Sequence, residues 1–326
     1  MVIDSDDDFF KLACAVPLQV ATTPVLRGAG VELVVRRDDL IDASLSGNKA
    51  YKLFYNLRAA RDAGFLRVLS FGGAYSNHLH ALAMAGLKFG FNTLGVVRGE
   101  RPASLSPTLM DAQNAGMELI FISRESYQSK SFSQLLDGWR KQFGDFYLIP
   151  EGGAGVLGAR GMSLSGRALE EQLKGDYTSV CIACGTGTSL AGLAAGLVAA
   201  GRHDKLALGF SVLKGDGDLG TGIAKTYQQL GVAQDLFCAH EPRPAANWRL
   251  ISGFHGGGYG KKLPPNLFAF WRSFERETGI LLDPVYTLKL IWGIHCLAEL
   301  GYWSRGSRIV AIHSGGLQGR RGFTCP

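Results

Sequence analysis

Tyr177-Thr178-Ser179-Val180-Cys181-Ile182-Ala183-Cys184 runs directly into Gly185-Thr186-Gly187-Thr188-Ser189-Leu190-Ala191-Gly192, and the chain stays free of charged residues as far as Gly201. An uncharged stretch of that length is nominally long enough to cross a bilayer as one helix. Its centre argues against this, because two glycines and three hydroxyl residues at positions 185–189 break a helix at its midpoint. The better parse is a buried strand at 180–183, a tight loop, and an apolar helix at 190–200. Strand, loop and helix in that order are half of a βαβ unit, which puts the chain among α/β folds.

Outward from this stretch the same alternation recurs. Short apolar runs stand at residues 31–35, 68–71, 93–97, 119–122, 146–149, 208–212 and 309–312, and amphipathic stretches such as 79–89 and 132–143 separate most of them. The pattern predicts mostly parallel sheets with helices on their faces. At 326 residues the chain exceeds the roughly 250–300 at which a single core stops growing, so two lobes are expected. Pro150-Glu151-Gly152-Gly153 supplies turn residues where one series ends and a second begins.

Composition narrows the function classes. The chain is 46% hydrophobic and 19% charged, with 44 glycines in no collagen-like or low-complexity pattern, which suits an enzyme with many shaped loops. The net charge of +6 comes from scattered Lys and Arg, so nucleic-acid binding is not expected, and an anionic small ligand suits the balance equally well. Asp4, Asp6, Asp7 and Asp8 stand where a signal peptide needs a basic and then an apolar segment. A cytoplasmic location without membrane association is therefore expected. Six cysteines (Cys14, Cys181, Cys184, Cys238, Cys296, Cys325) are too dilute for a disulfide framework. Cys181 and Cys184 have redox spacing, but with no second pair they read as buried strand residues, and no metal site is expected.

Four segments can carry chemistry. Gly47-Asn48-Lys49 opens a helical run at 50–63, and a lysine on a glycine turn at a helix start is a Schiff-base nucleophile candidate. Lys52 lies one turn on, on the same face. Gly72-Gly73-Ala74-Tyr75-Ser76-Asn77-His78 ends a strand in a turn where Ser76 or Asn77 can cap the next helix, leaving N–H groups for a carboxylate. The Gly185–Ser189 segment offers N–H groups, hydroxyls and a helix dipole, as a phosphate monoester requires. Leu190 stands where a dinucleotide fingerprint needs Gly, and the Gly-Lys-Ser/Thr of a P-loop is missing. Finally, Asp283-Pro284-Val285-Tyr286-Thr287 and Ile312-His313-Ser314-Gly315-Gly316 occupy turn and strand-end positions that face the ligand crevice in open α/β sheets.

In this order the segments resemble the fold type II pyridoxal 5'-phosphate enzymes, the tryptophan synthase beta-like fold, in the branch of D-cysteine desulfhydrase and 1-aminocyclopropane-1-carboxylate deaminase. Arg36-Arg37-Asp38-Asp39, Gly47-Asn48-Lys49 with Lys52-Leu53, Gly72-Gly73 with Ser76-Asn77, Asp283-Pro284-Val285-Tyr286 and His313-Ser314-Gly315-Gly316 carry the resemblance, which spans nearly the whole chain. It implies pyridoxal 5'-phosphate as cofactor, a small amino acid as substrate and a homodimer. It also implies a large cofactor-binding domain from residues 1–45 and 151–326 and a small domain from 46–150. Lys49 would carry the cofactor as a Schiff base, with Lys52 the alternative; Asn77 would contact the ring oxygen, and Gly185, Thr186, Gly187, Thr188 and Ser189 would hold the phosphate. Ser76 would face the substrate carboxylate with Asn77, His78 and Tyr75 beside it. Tyr259, in the glycine-rich 256–260 loop, and Tyr286 would line the substrate side as catalytic groups, and Thr287 and Ser314 would flank the ring nitrogen.

Within this branch, deaminases typically carry Glu after the Asp-Pro-Val-Tyr motif, Leu before the last Gly-Gly and Gln after Ser-Asn. Thr287, Ser314 and His78 instead resemble the desulfhydrase side. A hydroxyl at the ring nitrogen leaves a weaker electron sink, suited to expelling a good leaving group. The expected reaction is α,β-elimination, foremost of D-cysteine to pyruvate, sulfide and ammonia. The alternatives are 1-aminocyclopropane-1-carboxylate deamination or a lyase or racemase reaction on another small amino acid. A nicotinamide oxidoreductase is disfavoured by Leu190, and a non-catalytic binder that keeps the fold would differ only in lacking turnover. The chain departs from the pattern at Tyr75, Ala50-Tyr51 and Leu288.

Overall fold

The computed structural model describes residues 5–128, 132–215, 217–235, 247–259 and 263–323. Its ten strands are β1 (Leu18–Ala21), β2 (Glu32–Arg36), β3 (Arg67–Gly72), β4 (Asn92–Arg98), β5 (Glu118–Ile122), β6 (Tyr147–Leu148), β7 (Ser179–Cys184), β8 (Leu206–Ser211), β9 (Trp248–Ile251) and β10 (Arg308–Ile312). They form a six-stranded sheet in the order β1-β2-β10-β7-β8-β9 and a four-stranded sheet in the order β5-β4-β3-β6. Every pair is parallel except β1 with β2. The α/β class with mostly parallel sheets is therefore as the sequence predicts.

The sequence does not announce β1 and β9. Both are edge strands of the six-stranded sheet, short and only partly buried, and each carries a polar residue, Gln19 or Arg249. Their pairing is decided by the neighbouring strand rather than by their own apolar pattern.

The stretch that looked long enough for a membrane splits as expected into β7 and the helix Thr188–Ala199. Among the described residues no helix is long and apolar enough to cross a membrane. Helix Thr188–Ala199 packs closely on helix Val156–Leu173, which in turn meets helix Asn48–Asp62. Contact is so close that a Cβ at Gly161 would lie 1.8 Å from the Tyr51 carbonyl oxygen. Ala50, Tyr51, Leu53, Phe54, Leu57 and Ala60 are fully buried on the Asn48–Asp62 helix; each large apolar side chain among them contributes about 1.5–3 kcal/mol. That helix is thereby held firmly by its own packing, and its first turn is a fixed platform. Cys14, Cys181, Cys184 and Cys296 are free thiols; Cys238 and Cys325 lie outside the described residues.

Candidate active site

The platform begins where β2 ends. Arg36 and Asp38 form a fully buried pair at 2.8 Å, Gly47 N donates to the Asp38 carbonyl at 2.9 Å, and Ser46 Oγ donates to the Asp39 carbonyl at 3.0 Å. Asn48 N then donates to the Ser314 carbonyl at 3.2 Å, tying the turn to the end of β10. Gly47 sits at φ +72°, and a Cβ on it would fall 2.0 Å from the Ser314 carbonyl oxygen. Only glycine satisfies both conditions. Asn48 Nδ2 donates to Ser189 Oγ at 2.9 Å, so the lysine turn and the Gly185–Ser189 loop are locked together.

Lys49, half-buried in the first helical turn, reaches a cavity of about 320 Å³. Loss of hydration lowers its amine to about 8, with the Asp283 carboxylate opposing part of the shift. Lys52 is buried beside it, donates to the Gly152 carbonyl at 3.3 Å, and is held well below the ordinary lysine value by burial and then by the charge of Lys49. Two buried amines close together favour a neutral partner, which leaves a nucleophilic lone pair at neutral pH.

On the second wall, Ser76 caps the helix Asn77–Phe89, its Oγ accepting from Leu79 N at 3.2 Å. Asn77 Oδ1 accepts from Gln318 Nε2 at 2.7 Å, which draws the C-terminal turn Leu317–Gly322 over the site. His78 is buried, with Nε2 2.8 Å from Ser70 Oγ; burial and the two lysines push its pKa well down, so the ring is neutral. Gly322 lies directly against the Tyr75 ring.

On the third wall, β7 ends in Gly185, and Gly187 at φ +77° opens helix Thr188–Ala199 without a side-chain cap. Asp283 accepts from the Val285, Tyr286 and Thr287 N–H groups at 2.7–3.2 Å, fixing the turn before the helix Thr287–Glu299. The Tyr286 hydroxyl donates to the Tyr259 hydroxyl at 3.2 Å, and both phenols are shifted upward by burial, so both remain protonated.

Lys49, Tyr75, Ser76, Asn77, His78, Gly185, Thr186, Gly187, Ser189, Tyr259, Tyr286 and Ser314 thus line one cavity. Two expected residues do not. Thr188 is buried and accepts from the Thr186 hydroxyl at 3.2 Å, while the Thr287 hydroxyl accepts from Asp283 N at 2.8 Å and donates to Asp283 Oδ1 at 3.0 Å. Their side chains build the turns rather than the wall. Sequence reasoning missed Arg98 and Glu151 as lining residues, and took Asn48 and Asp283 only as members of their motifs, without a role. Arg98 ends β4 and Glu151 follows β6; a polar residue at the C-terminal end of a parallel strand was the available signal.

A family model described as pyridoxal-phosphate dependent enzyme matches residues 16–315. The bifunctional D-cysteine desulfhydrase/1-aminocyclopropane-1-carboxylate deaminase of Arabidopsis thaliana is 29% identical over 306 residues, covering 89% of this chain and 73% of that one. A D-cysteine desulfhydrase of Yersinia pestis is 26% identical over 296 residues, covering 88% and 87%. The crystal structure of an ACC deaminase homologue aligns with a TM-score of 0.78 at 27% identity, over 97% of this chain and 96% of that one. The cavity fits the family's cofactor on its own evidence: a lysine amine near pKa 8, an uncapped helix N-terminus, and a hollow at Gly185 where a Cβ would come within 2.9 Å of the Tyr259 hydroxyl. The chain belongs to the pyridoxal-phosphate dependent enzymes, with the fold type II architecture, and is similar to D-cysteine desulfhydrases and 1-aminocyclopropane-1-carboxylate deaminases within them.

Proposed function

We propose that this enzyme is an α,β-eliminating lyase whose foremost substrate is D-cysteine, converted with water to pyruvate, sulfide and ammonia. Ser314 carries this proposal: a hydroxyl, not a carboxylate, ends β10 on the cavity wall beside the Gly47 turn. Bound pyridoxal 5'-phosphate supplies an electron sink for charge at the substrate Cα. Lys49 Nζ would hold the cofactor, and as a free amine it would take the proton from the substrate Cα. Thr186, Ser189 and the N–H groups after Gly187 would hold the phosphate; Asn77 would meet the ring oxygen and Ser314 the ring nitrogen. Ser76 binds the substrate carboxylate, with His78 and Tyr75 shaping the pocket behind it. The paired hydroxyls of Tyr259 and Tyr286 stand on the remaining side, able to hold a proton next to the departing thiolate. The segments 1–45 and 151–326, which include the six-stranded sheet, form the cofactor domain, and 46–150 the small one.

A second substrate is favoured by one observation: Asp283 lines the cavity and its charge is felt at the Lys49 amine, and a carboxylate there that holds a proton on the ring nitrogen would suit ring opening of 1-aminocyclopropane-1-carboxylate. The test is kcat/KM of the cofactor-loaded enzyme on D-cysteine and on the cyclopropane. D-cysteine is expected to exceed the cyclopropane by about tenfold or more. A preference for the cyclopropane would overturn the desulfhydrase proposal, and Ser314→Ala, expected to change elimination rate, would show whether the ring-nitrogen partner is as assigned.

A further inference from the structure

Arg98 is a charge that the elimination chemistry does not use. It ends β4, lines the cavity, and packs its guanidinium 5.7 Å from the centre of the Tyr127 ring. Its Nη2 also lies near Gly73, since a Cβ there would be 3.8 Å away, and the Gly73 carbonyl accepts from Ser76 N at 3.0 Å. Arg98 is thus next to the turn that presents Ser76 to the substrate carboxylate. Among the described residues it has no carboxylate within ion-pair distance and no hydrogen-bond acceptor, although a guanidinium offers five N–H donors in a fixed fork.

Glu151 lines the same side of the cavity, and its charge acts on the Tyr127 phenol as well as on Tyr259 and Tyr286. After burial, Glu151 is the main reason that the Tyr127 phenol is shifted upward. Both charges thus bear on Tyr127, Arg98 from over its ring and Glu151 through its effect on the phenol. Glu151 makes no ion pair with Arg98, and the solvent-exposed Arg98 faces the cavity with no protein acceptor among the described residues.

We propose that Arg98 is a specificity-determining residue that binds a second anionic group of the substrate, beyond its α-carboxylate. This rests on the elimination activity proposed above and adds to D-cysteine a further substrate class: small amino acids whose β-substituent carries a carboxylate, sulfonate or phosphate ester. A planar fork matches such groups with two parallel hydrogen bonds, where an ammonium would offer a point charge.

Two measurements separate this assignment from the elimination activity itself. First, both enantiomers of cysteate and of alanine are titrated into the cofactor-loaded native protein and its Arg98→Met and Arg98→Lys variants, with binding read from the cofactor's visible absorbance. Native protein is expected to bind cysteate more tightly than alanine. Arg98→Met should reduce that ratio roughly 10- to 100-fold, the scale of a lost charge-assisted hydrogen-bond pair, and Arg98→Lys less. Glu151→Gln, which removes the opposing charge from the same wall, should raise the ratio by a smaller factor. Second, pyruvate release is measured from O-phosphoserine and from neutral β-chloroalanine, and the kcat/KM ratio should fall in parallel with the binding ratio. Equal losses on charged and neutral ligands would place Arg98 on the shared α-carboxylate, and no change in either ratio would leave it a solvated surface arginine; both overturn the proposal. Absence of turnover with intact cysteate selectivity would instead sink the elimination activity while upholding Arg98 as the anion-binding residue.

Discussion

Two helix N-termini face the cavity from different sheets, and they are finished differently. Asn77–Phe89, following β3, is capped by its own Ser76 hydroxyl at 3.2 Å, whereas Thr188–Ala199, following β7, begins at Gly187 with no side-chain cap. Unmet N–H groups and the positive dipole end make an uncapped terminus a receptor for an external anion, while a self-capped terminus has one of its free N–H groups already taken. The contrast supports a division of labour: the cofactor's phosphate dianion at Gly187, and the substrate's single carboxylate, with help from the Ser76 side chain, at the other wall. Between them, Lys49 stands on a helix start where Gly47 likewise has no side-chain cap but Asn48 N is taken by the Ser314 carbonyl. That third terminus is closed by the protein itself and serves to aim an amine.

The largest effect expected concerns that amine. Lys49→Ala should abolish covalent capture of pyridoxal 5'-phosphate, read as borohydride-trappable absorbance, and cut elimination by about a thousandfold or more; Lys52→Ala should keep the covalent link. The opposite pattern would move the nucleophile one turn along the helix. Capture by the cofactor-free chain needs the unprotonated amine, so its rate should rise with pH and level off above about 8. A midpoint near 10 would mean an ordinary, hydrated lysine. Stability follows with a defined sign: because the folded amine titrates near 8 and the unfolded one near 10.5, the folded chain binds fewer protons between those values. The contribution of Lys49 to stability is therefore lowest below pH 8 and improves as pH rises toward 10.5, a trend that Lys49→Met should remove.

The next test aims at the two termini. Thr186→Asp puts a negative charge on an exposed, cavity-lining position of the uncapped loop and should raise the Kd for pyridoxal 5'-phosphate about 100-fold. Thr186 is the better probe than Thr188, whose burial would confuse lost affinity with lost folding. Ser76→Ala should have the smallest effect on the cofactor and show instead as a raised KM for the amino acid. Its lost cap should cost about 1 kcal/mol of stability. Equal weakening of cofactor binding by both changes would erase the proposed division.

Much of this geometry was legible in the chain because glycine and lysine have few interpretations when they sit between a strand and a helix. Eight strands and the helices that open at Asn48, Asn77 and Thr188 follow from apolar periodicity and turn residues. The lysine turn, the Ser76 turn and the Gly185–Ser189 loop could be read from local order alone, and the structure brings them to one cavity. Thr287 was less tractable. Its position after Asp-Pro-Val-Tyr suggested a role at the cofactor ring, yet its hydroxyl and N–H both close on Asp283, a choice made by the turn's own hydrogen bonds. Arg98 and Glu151 gave only a weak signal, a charged residue at or just after the C-terminal end of a parallel strand.

The sequence by itself determined the alternation of strand and helix, the glycine turns at Gly47 and Gly187, and the family's ordered motifs, since these depend on period and on backbone conformations open to few residues. Tertiary structure alone decided which side chains share solvent and which lose it. Burial lowers the Lys49 amine, neutralises His78, turns Thr188 and Thr287 into scaffold and leaves Arg98 facing the cavity without a carboxylate partner among the described residues. Such outcomes depend on contacts between segments hundreds of residues apart, as between Gly47 and Ser314, where one carbonyl oxygen sets how close two turns can come.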